Sequence, residues 1–147
     1  MNKLQHFVLH IEDDPNDILL VQRAFKKANI PVALDSITDG DSAVAYLTGE
    51  AIYADRRRYP LPSLILLDLK IPRKSGLEVL CWIRHHPNLK RLPVTVLTSS
   101  KHDRDINLAY EGGANSYLVK PVGFDALLEM VKLIDLYWLR LNENPTL

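Results

Sequence analysis

The stretch Leu64-Ile65-Leu66-Leu67-Asp68 decides the predicted fold. Its four consecutive apolar residues are typical of a strand that is buried on both faces of a parallel sheet. An acidic residue follows directly, at the carboxyl end of this strand. Similar short apolar runs lie on either side, at residues 7–11, 32–37, 93–97 and 117–119. We therefore predict five strands, with Leu64 to Leu67 as the third.

Helix-forming segments separate these runs. Asp14 and Pro15 predict a helix start, because Asp is a favoured N-cap and Pro fits the first helical position. The predicted helices cover residues 15–28, 41–47, 76–86, 103–112 and 124–141. Strands that alternate with helices imply right-handed crossovers. The predicted fold class is therefore α/β, a doubly wound five-stranded parallel sheet with five helices in a three-layer sandwich.

The composition is that of one domain. The chain has 147 residues, of which 47% are hydrophobic. We predict a single domain over residues 1–147, with its core at about 6–140, a short tail at 142–147 and no output domain. Positive and negative side chains are equal in number, 18 each, so no overall field attracts nucleic acid or membrane.

The cysteine content and the hydropathy of the chain predict its compartment. Cys81 is the only cysteine, which excludes an internal disulfide and favours the cytoplasm. Residues 1–6 are polar, and no apolar run approaches the length of a membrane span. We therefore expect neither a signal peptide nor a membrane segment.

Acidic residues follow two of the predicted strands at their carboxyl ends, where such sheets form their active crevices. Glu12 and Asp13 follow the first strand, and Asp68 follows the third. Three converging carboxylates repel one another, so the arrangement requires a hard cation or an ammonium group. Mg²⁺ is the natural candidate, because it prefers carboxylate oxygens, water and phosphate oxygens.

Two further polar residues complete the predicted site. Thr98 follows the fourth strand and Lys120 follows the fifth. The Lys120 ammonium can hold one phosphoryl oxygen, and the Thr98 hydroxyl can donate to another. Asp68 is then predicted to be the phosphoacceptor. An ionised carboxylate carries no proton at neutral pH, so its attack on phosphorus needs no general base.

Four motifs in these regions resemble those of CheY-like receiver domains of two-component systems. They are Ile11-Glu12-Asp13-Asp14-Pro15, Leu67-Asp68-Leu69-Lys70-Ile71-Pro72 with Gly76, Leu97-Thr98-Ser99, and Ser116-Tyr117-Leu118-Val119-Lys120-Pro121. The resemblance covers about residues 7–134 and implies strand order 2-1-3-4-5. It also implies a response regulator that receives a phosphoryl group on Asp68 from a histidine kinase and signals to a downstream protein by protein contacts.

The same resemblance assigns the metal ligands. Asp13, Asp68 and the backbone carbonyl of Lys70 would bind Mg²⁺ directly, and Glu12 would do so through water. Lys70 is a departure, since many receivers carry Asn or another residue two places after the acceptor. A long cation there is expected to alter the phosphate lifetime or to compete with the metal.

The resemblance also implies a conformational switch. Tyr117 matches an aromatic residue that turns inward when the hydroxyl residue, here Thr98, moves toward the phosphoryl group. The peptide bond between Lys120 and Pro121 matches a position that is usually cis, which would aim the ammonium into the crevice.

A narrower resemblance is to the small receivers that partner cyanobacterial phytochromes, which are light-sensing histidine kinases. It rests on Leu-Pro-Ser-Leu-Ile-Leu-Leu-Asp at 61–68, Pro72-Arg73-Lys74-Ser75-Gly76, His86-Pro87-Asn88-Leu89-Lys90 and Tyr137-Trp138-Leu139. It implies that the kinase is a phytochrome. Several such receivers dimerise, which points to a homodimer.

Two surfaces are predicted to bind proteins. Leu19 and Leu20 fall off the apolar stripe of the first helix, so at least one should be exposed and contact the kinase together with Asp17. The last helix carries a second apolar flank that predicts a homodimer interface. Its residues are Met130, Leu133, Tyr137 and Leu141. Alternatively, residues 50–62 or the C-terminal tail cover this flank.

Other polar residues are predicted to be structural. His10 lies inside an apolar strand and is expected to be a core histidine whose ring nitrogens are satisfied. The three arginines at 56–58 lie in a polar loop and are expected to be solvated.

Two other functions stay open. Haloacid-dehalogenase-like phosphotransferases also use an Asp nucleophile and Mg²⁺, but they require a second acid where this chain has Lys70, and the chain has no room for a substrate cap. The second alternative is a phosphorylation-independent interaction module on a receiver fold. It is disfavoured because all five positions of the site carry competent residues.

Overall fold

The computed structural model describes residues 6–147, which form a five-stranded parallel sheet. The strands are β1 (Phe7–Ile11), β2 (Ala33–Ile37), β3 (Leu64–Leu67), β4 (Val94–Thr98) and β5 (Ser116–Val119). Their spatial order is β2-β1-β3-β4-β5, and all neighbouring pairs are parallel. The predicted fold class and strand order are confirmed. Residues 1–5, in which we expect no signal peptide, lie outside the described part of the chain.

Five α-helices cover the two faces of the sheet. They are α1 (Pro15–Lys27), α2 (Gly40–Thr48), α3 (Gly76–His85), α4 (Asp103–Glu111) and α5 (Phe124–Ile134). The start of α1 follows the prediction, because the Asp14 side chain accepts hydrogen bonds from the first-turn amides. Ser75 and Glu78 form a reciprocal capping box at the start of α3. Within residues 6–147, no helix is long and apolar enough to cross a bilayer.

The sheet separates two apolar layers. On one face, α1 and α5 pack over strand residues that include Val8, Leu66 and Leu97. On the other face, α2, α3 and α4 cover a set that includes Leu9 and Ile65. Alternate residues of a strand point to opposite faces, which is why β1 and β3 are apolar on both. The charged residues that follow these strands therefore gather at the carboxyl edge of the sheet.

The last helix departs from the uninterrupted α-helix predicted over residues 124–141. After α5 the chain continues as a π-helical segment, Asp135–Leu141. The wider turn changes which side faces the core, so Leu139 is buried, whereas Trp138, which we predict on the core face, is half-buried. The buried Asp135 carboxylate lies 3.0 Å from Arg140 Nε, and this ion pair balances its charge.

Arg56 holds the loop between α2 and β3, which also contains a 3-10 turn at Ala51–Ala54. Its guanidinium donates to the carbonyl oxygens of Tyr46 at 2.7 Å and of Leu47 at 2.8 Å. Carbonyls in the last turn of a helix lack helical partners, so this side chain completes the end of α2. The expectation that all three arginines are merely solvated is wrong for Arg56.

Candidate functional site

Three carboxylates converge at the carboxyl edge of the sheet. One ligand oxygen from each of Glu12, Asp13 and Asp68 lies within 4.8 Å of the others. The convergence follows from the topology, because β1 and β3 are neighbours and Ile11 is in register with Leu67. Glu12 and Asp68 are buried, whereas Asp13 is exposed. The predicted acidic cluster is present.

Lys120 brings a positive charge into this cluster from the end of β5. Its Nζ lies 2.5 Å from Glu12 Oε1, 2.7 Å from Asp17 Oδ2 and 2.9 Å from Asp68 Oδ2. The ammonium therefore offsets the charge of carboxylates from three separate elements. Asp17 is predicted to contact a kinase, but its place in the first turn of α1 makes it a partner of Lys120.

The peptide bond between Lys120 and Pro121 is trans, and no cis peptide bond occurs in the described residues 6–147. The cis bond that the resemblance implies is therefore wrong for this structure. A trans bond is the favoured form before proline. The Lys120 amide donates to the Thr98 carbonyl at 2.7 Å, and from that anchor the long side chain reaches the crevice without a cis bond.

Burial and charge act differently on the two buried carboxylates. Burial raises the pKa of Glu12 to about 7, and the contact with Lys120 only partly opposes this. Burial also raises the pKa of Asp68, but hydrogen bonds from Lys120 and Thr98 outweigh it, so that pKa is lowered. For Lys120, burial is outweighed by the three carboxylates, and the pKa is raised. Asp68 is therefore the buried carboxylate that is held ionised.

The acidic cluster has the chemistry of a divalent cation site. Its donors are carboxylate oxygens, which hard cations prefer. Glu12 Oε1 is buried and has no aligned hydrogen-bond donor among the described residues, despite its close contact with the Lys120 ammonium. This oxygen can therefore still accept a bond from a metal-bound water. The residues present fit a divalent metal.

A cavity of about 410 Å³ opens beside Asp68. It is lined by Thr98, by residues 99–102 of the loop that follows β4, and by Lys70. Thr98 is the last residue of β4 and is buried, whereas the Lys70 side chain is exposed at the rim. The Lys70 amide lies 3.4 Å from Asp68 Oδ1, a long hydrogen bond. The cavity leaves room for a phosphoryl group beside the acceptor oxygen.

The loop after Asp68 is held by two glycines. A side chain on Gly76 would overlap the Asp68 carbonyl, and one on Gly40 would overlap the Lys74 carbonyl. The Gly76 amide donates to the Leu69 carbonyl at 2.9 Å, and the Gly40 amide donates to the Pro72 carbonyl at 3.1 Å. The starts of α2 and α3 thus fix the segment that carries Lys70.

Tyr117 connects β5 to the loop after β4. Its ring is half-buried and packs against the core layer below α2, α3 and α4. Its hydroxyl donates to the Ser100 carbonyl at 2.9 Å. The Ser100 hydroxyl in turn donates to Asp105 Oδ2 at 2.5 Å. The predicted switch residues Thr98 and Tyr117 are therefore joined through one short loop.

His10 corrects an expectation about the core. It is 1% exposed, as predicted for a core residue, but neither ring nitrogen has a hydrogen-bond partner among residues 6–147. On β3 its register partner is the apolar Leu66, and on β2 it is Ser36, which does not hydrogen-bond to the ring. The prediction that both nitrogens are satisfied is wrong.

The two predicted protein-binding surfaces are exposed. Leu19 and Leu20 are both solvent-accessible on α1, at 43% and 36%. The second flank of the last helix, here called the α5 flank, consists of Met130, Leu133, Tyr137 and Leu141. Its last three residues are 65%, 55% and 67% exposed, while Met130 packs partly against the core. Leu136, which the sequence interpretation omits, is also exposed beside them.

Comparison with known proteins identifies the family. Residues 8–132 match the family model of the response regulator receiver domain. The response regulator Rcp1 of Synechocystis sp. is 41% identical over 138 residues, which cover 94% of this chain and 92% of Rcp1.

Solved structures agree with this match. The phosphorylated cyanobacterial phytochrome response regulator RcpA is similar with a TM-score of 0.90 and 37% identity, covering 97% of this chain and 100% of RcpA. The Mn²⁺-bound form of Rcp1 is similar with a TM-score of 0.85 and 39% identity, covering 96% of this chain and 99% of Rcp1. The chain therefore belongs to the response regulator receiver family.

Proposed function

We propose that this receiver accepts a phosphoryl group on Asp68 from a histidine kinase, with Mg²⁺ as the cofactor. The observation that carries the proposal is the position of Asp68. Its carboxylate is buried, is held ionised beside Lys120, and borders the cavity that Thr98 and Lys70 line. An ionised carboxylate beside room for a phosphoryl group is the arrangement that acceptance requires.

The proposed metal ligands are those of the acidic cluster. Asp13, Asp68 and the Lys70 carbonyl would hold Mg²⁺ directly, and Glu12 would hold it through water. When bound, the cation would offset charge on the phosphoryl oxygens. The Mn²⁺-bound structure of Rcp1 supports a divalent ion in this family, and the preference for oxygen ligands supports Mg²⁺.

The chain's own residues supply positioning and charge. An Asp68 oxygen forms the bond to phosphorus while the bond from phosphorus to the donor breaks, and the donor leaves with its electron pair. The Lys120 ammonium, already 2.9 Å from Asp68, holds one phosphoryl oxygen. The Thr98 hydroxyl donates to another. We propose that Thr98 then draws the loop after β4 with it, which changes the packing of Tyr117.

The proposed donor is a phytochrome-type histidine kinase. Support comes from the similarity to RcpA, which is a phosphorylated cyanobacterial phytochrome response regulator. The exposed Leu19 and Leu20 lie on α1, next to Asp17 at the edge of the crevice, which suits the approach of a kinase helix. Signalling onward would use protein contacts with a downstream partner in the cytoplasm.

A homodimer is proposed on the α5 flank. Leu133, Tyr137 and Leu141 are each more than half exposed, and Met130, Leu133 and Tyr137 line one apolar groove that a second copy would cover. The alternatives, in which the C-terminal tail or residues 50–62 cover this flank, have less support. The described tail residues line a separate cavity with Pro62 and Pro93. The aromatic cluster of Tyr46, Tyr53 and Tyr59 keeps the 50–62 loop against α2.

The two alternative functions have less support. A haloacid-dehalogenase-like phosphotransferase needs an acid where Lys70 lies, and the chain belongs to the receiver family. A phosphorylation-independent module would not need the pKa of Asp68 to be held low. Hydrolysis of a phosphate ester with turnover would favour the first alternative, and absence of any adduct would favour the second.

The decisive experiment is phosphorylation by acetyl phosphate with Mg²⁺. The wild type should form an acid-stable, base-labile adduct that peptide mapping places on Asp68. Asp68→Asn should form none, while Asp125→Asn, in the exposed first turn of α5, should be phosphorylated as the wild type is. Equal uptake by Asp68→Asn and the wild type would show that Asp68 is not the acceptor. A panel of histidine kinases that includes a phytochrome would then identify the donor.

A further inference from the structure

A second cavity, of about 110 Å³, lies next to Lys120. It is lined by residues of α1, α5 and the sheet. Val21, Leu97, Phe124 and Leu127 form its apolar wall, and Lys120 separates it from the crevice. Leu20 also lines the cavity and is 36% exposed. A small, mostly apolar cavity therefore adjoins the Lys120 side chain.

Three polar residues line this cavity, namely His10, Asp17 and Lys120. His10 is 1% exposed, and among the described residues neither of its ring nitrogens has a hydrogen-bond partner. Leaving a buried donor and acceptor unpaired costs stability, so native structures supply partners from protein, water or ligand. No described side chain supplies one here. An occupant of the cavity would satisfy this ring.

The charge of the ring restricts the occupant. The ring is buried and shares the cavity lining with the Lys120 ammonium, and both burial and a neighbouring positive charge favour the neutral imidazole over the cation. A neutral imidazole offers one N–H donor and one nitrogen acceptor. A bound anion would face the Asp17 carboxylate, and a bound cation would face the Lys120 ammonium. Both would also lose their hydration in an apolar chamber, so an uncharged occupant is favoured.

We propose that this cavity binds a small uncharged molecule that consists of one apolar ring and one hydroxyl or N–H group, with that group hydrogen-bonded to His10. The size sets an upper limit, since an apolar cavity of about 150 Å³ is known to admit benzene and this one, of about 110 Å³, is smaller but open on one side. A single ring is therefore the largest body that fits. The four apolar wall residues would contact the ring.

The position gives such binding a consequence. Lys120 lines this cavity and also contacts Asp68, so an occupant would touch the side chain proposed to hold the phosphoryl group. Leu20, which also lines the cavity, belongs to the surface proposed for the kinase. These consequences rest on the proposed function, whereas binding itself does not.

The test uses phenol as the probe and toluene as its control, because the two have similar size and differ in the hydroxyl group. Each is titrated into the full chain, without phosphoryl donor or metal, while NMR follows the His10 ring nitrogens and the methyl groups of Val21, Leu97 and Leu127. Phenol should cause saturable shifts at these positions, with a dissociation constant on the order of 1 mM. Toluene should bind at least tenfold more weakly.

Variants then assign the hydrogen bond. His10→Leu should weaken phenol binding about tenfold or more and should not weaken toluene binding. His10→Gln keeps a donor and an acceptor and should retain the preference for phenol. His85→Leu, a surface histidine on α3, should bind both probes as the wild type does.

Three results would overturn the proposal. The first is the absence of saturable shifts with phenol in the wild type, including the case in which bound water persists beside His10 throughout the titration. The second is equal affinity of the wild type for phenol and toluene. The third is equal weakening of phenol by His10→Leu and His85→Leu. The first two results are obtained with the wild type alone, so a misfolded variant cannot account for them. None of the three tests requires Asp68 to be phosphorylated.

Discussion

The crevice, which holds the acidic cluster and Lys120, differs from the α5 flank in the contacts that its side chains make. In the crevice, one ammonium contacts three carboxylates from separate elements. On the flank, Leu133 and Tyr137 are more than half exposed. Groups that share partners act non-additively, whereas groups without shared partners act independently. We therefore expect crevice substitutions to alter several properties together and flank substitutions to alter association alone.

The largest expected effect is in the crevice. Lys120→Met removes the ammonium that is proposed to hold a phosphoryl oxygen, and it leaves Glu12 and Asp68 without their positive partner. Phosphorylation by acetyl phosphate should slow by about 10²- to 10³-fold, the usual cost of losing one charge-stabilising donor. Lys132→Met, on the exposed side of α5, is the matched control and should keep the wild-type rate. A Lys120→Met rate within threefold of the wild type would contradict the prediction.

The flank is expected to give the next largest effect. The wild type should sediment as a dimer at micromolar concentration, and Leu133→Asp with Tyr137→Asp should sediment as a folded monomer. Burying an uncompensated charge in an apolar interface should weaken association by about 100-fold or more. Acetyl phosphate should still phosphorylate the variant at the wild-type rate.

Val122→Asp is the control for charge at an exposed apolar site, since Val122 is 98% exposed and lies outside the flank. It should stay dimeric. A monomeric wild type, with or without phosphate, would refute the proposed interface. A dimer that survives both aspartates would place the interface elsewhere.

A change in the kinase-docking surface should slow phosphotransfer from the kinase by about tenfold, since one truncated interface contact typically costs more than 1 kcal/mol when it is central. Leu20→Glu should slow transfer from the cognate kinase and spare phosphorylation by acetyl phosphate. Gln22→Glu adds the same charge to an exposed position of α1 and should leave both rates unchanged. Equal loss with both donors would indicate damage to the fold instead of the docking surface.

A pH effect of similar size is expected for metal affinity. Glu12 has a pKa of about 7, so its carboxylate is mostly charged at pH 8 and mostly protonated at pH 6. Because the protonated form is a poor ligand, Mg²⁺ should bind about tenfold more weakly at pH 6 than at pH 8. Calorimetric titration of Glu12→Gln should show a flatter profile. The same tenfold change in the variant would exclude Glu12 as the titrating group.

The smallest expected change in rate concerns the switch. Thr98→Ala should take up phosphate within about threefold of the wild type, provided that Lys120 supplies most of the stabilisation. The NMR environment of Tyr117 should then stay unchanged on phosphorylation, because the loop that joins the two residues is no longer drawn toward the phosphoryl group. A wild-type shift of Tyr117 in this variant would show that the hydroxyl is not the link.

The contrast also explains what could be predicted from sequence. The topology brings the carboxyl ends of neighbouring parallel strands together regardless of rotamers. The convergence of Glu12, Asp13 and Asp68 therefore followed from recognising strands. The partnership of Asp17 with Lys120 depends on the reach of a long side chain across the crevice, which periodicity does not report. Its position in the first turn of α1, facing that edge, was the available signal.

Other differences arise from packing. Helical periodicity assumes a constant turn angle, so it could not place the π-helical segment that brings Leu139 into the core. A histidine in an apolar strand predicts burial, but the unpaired state of His10 depends on which neighbours lie within hydrogen-bond distance. The expected cis bond before Pro121 rests on the resemblance alone. No residue of this chain indicates it, and the bond is trans.

The close contacts of Gly40 and Gly76 limit how this chain can vary over generations. Both helix starts touch the backbone of the loop after Asp68, so even one added methyl group at either position must move the loop. The Lys70 side chain is exposed on that same loop, so a substitution there displaces no buried neighbour. Single substitutions can thus change the chemistry beside the acceptor, while the backbone geometry of the loop that follows it stays the same.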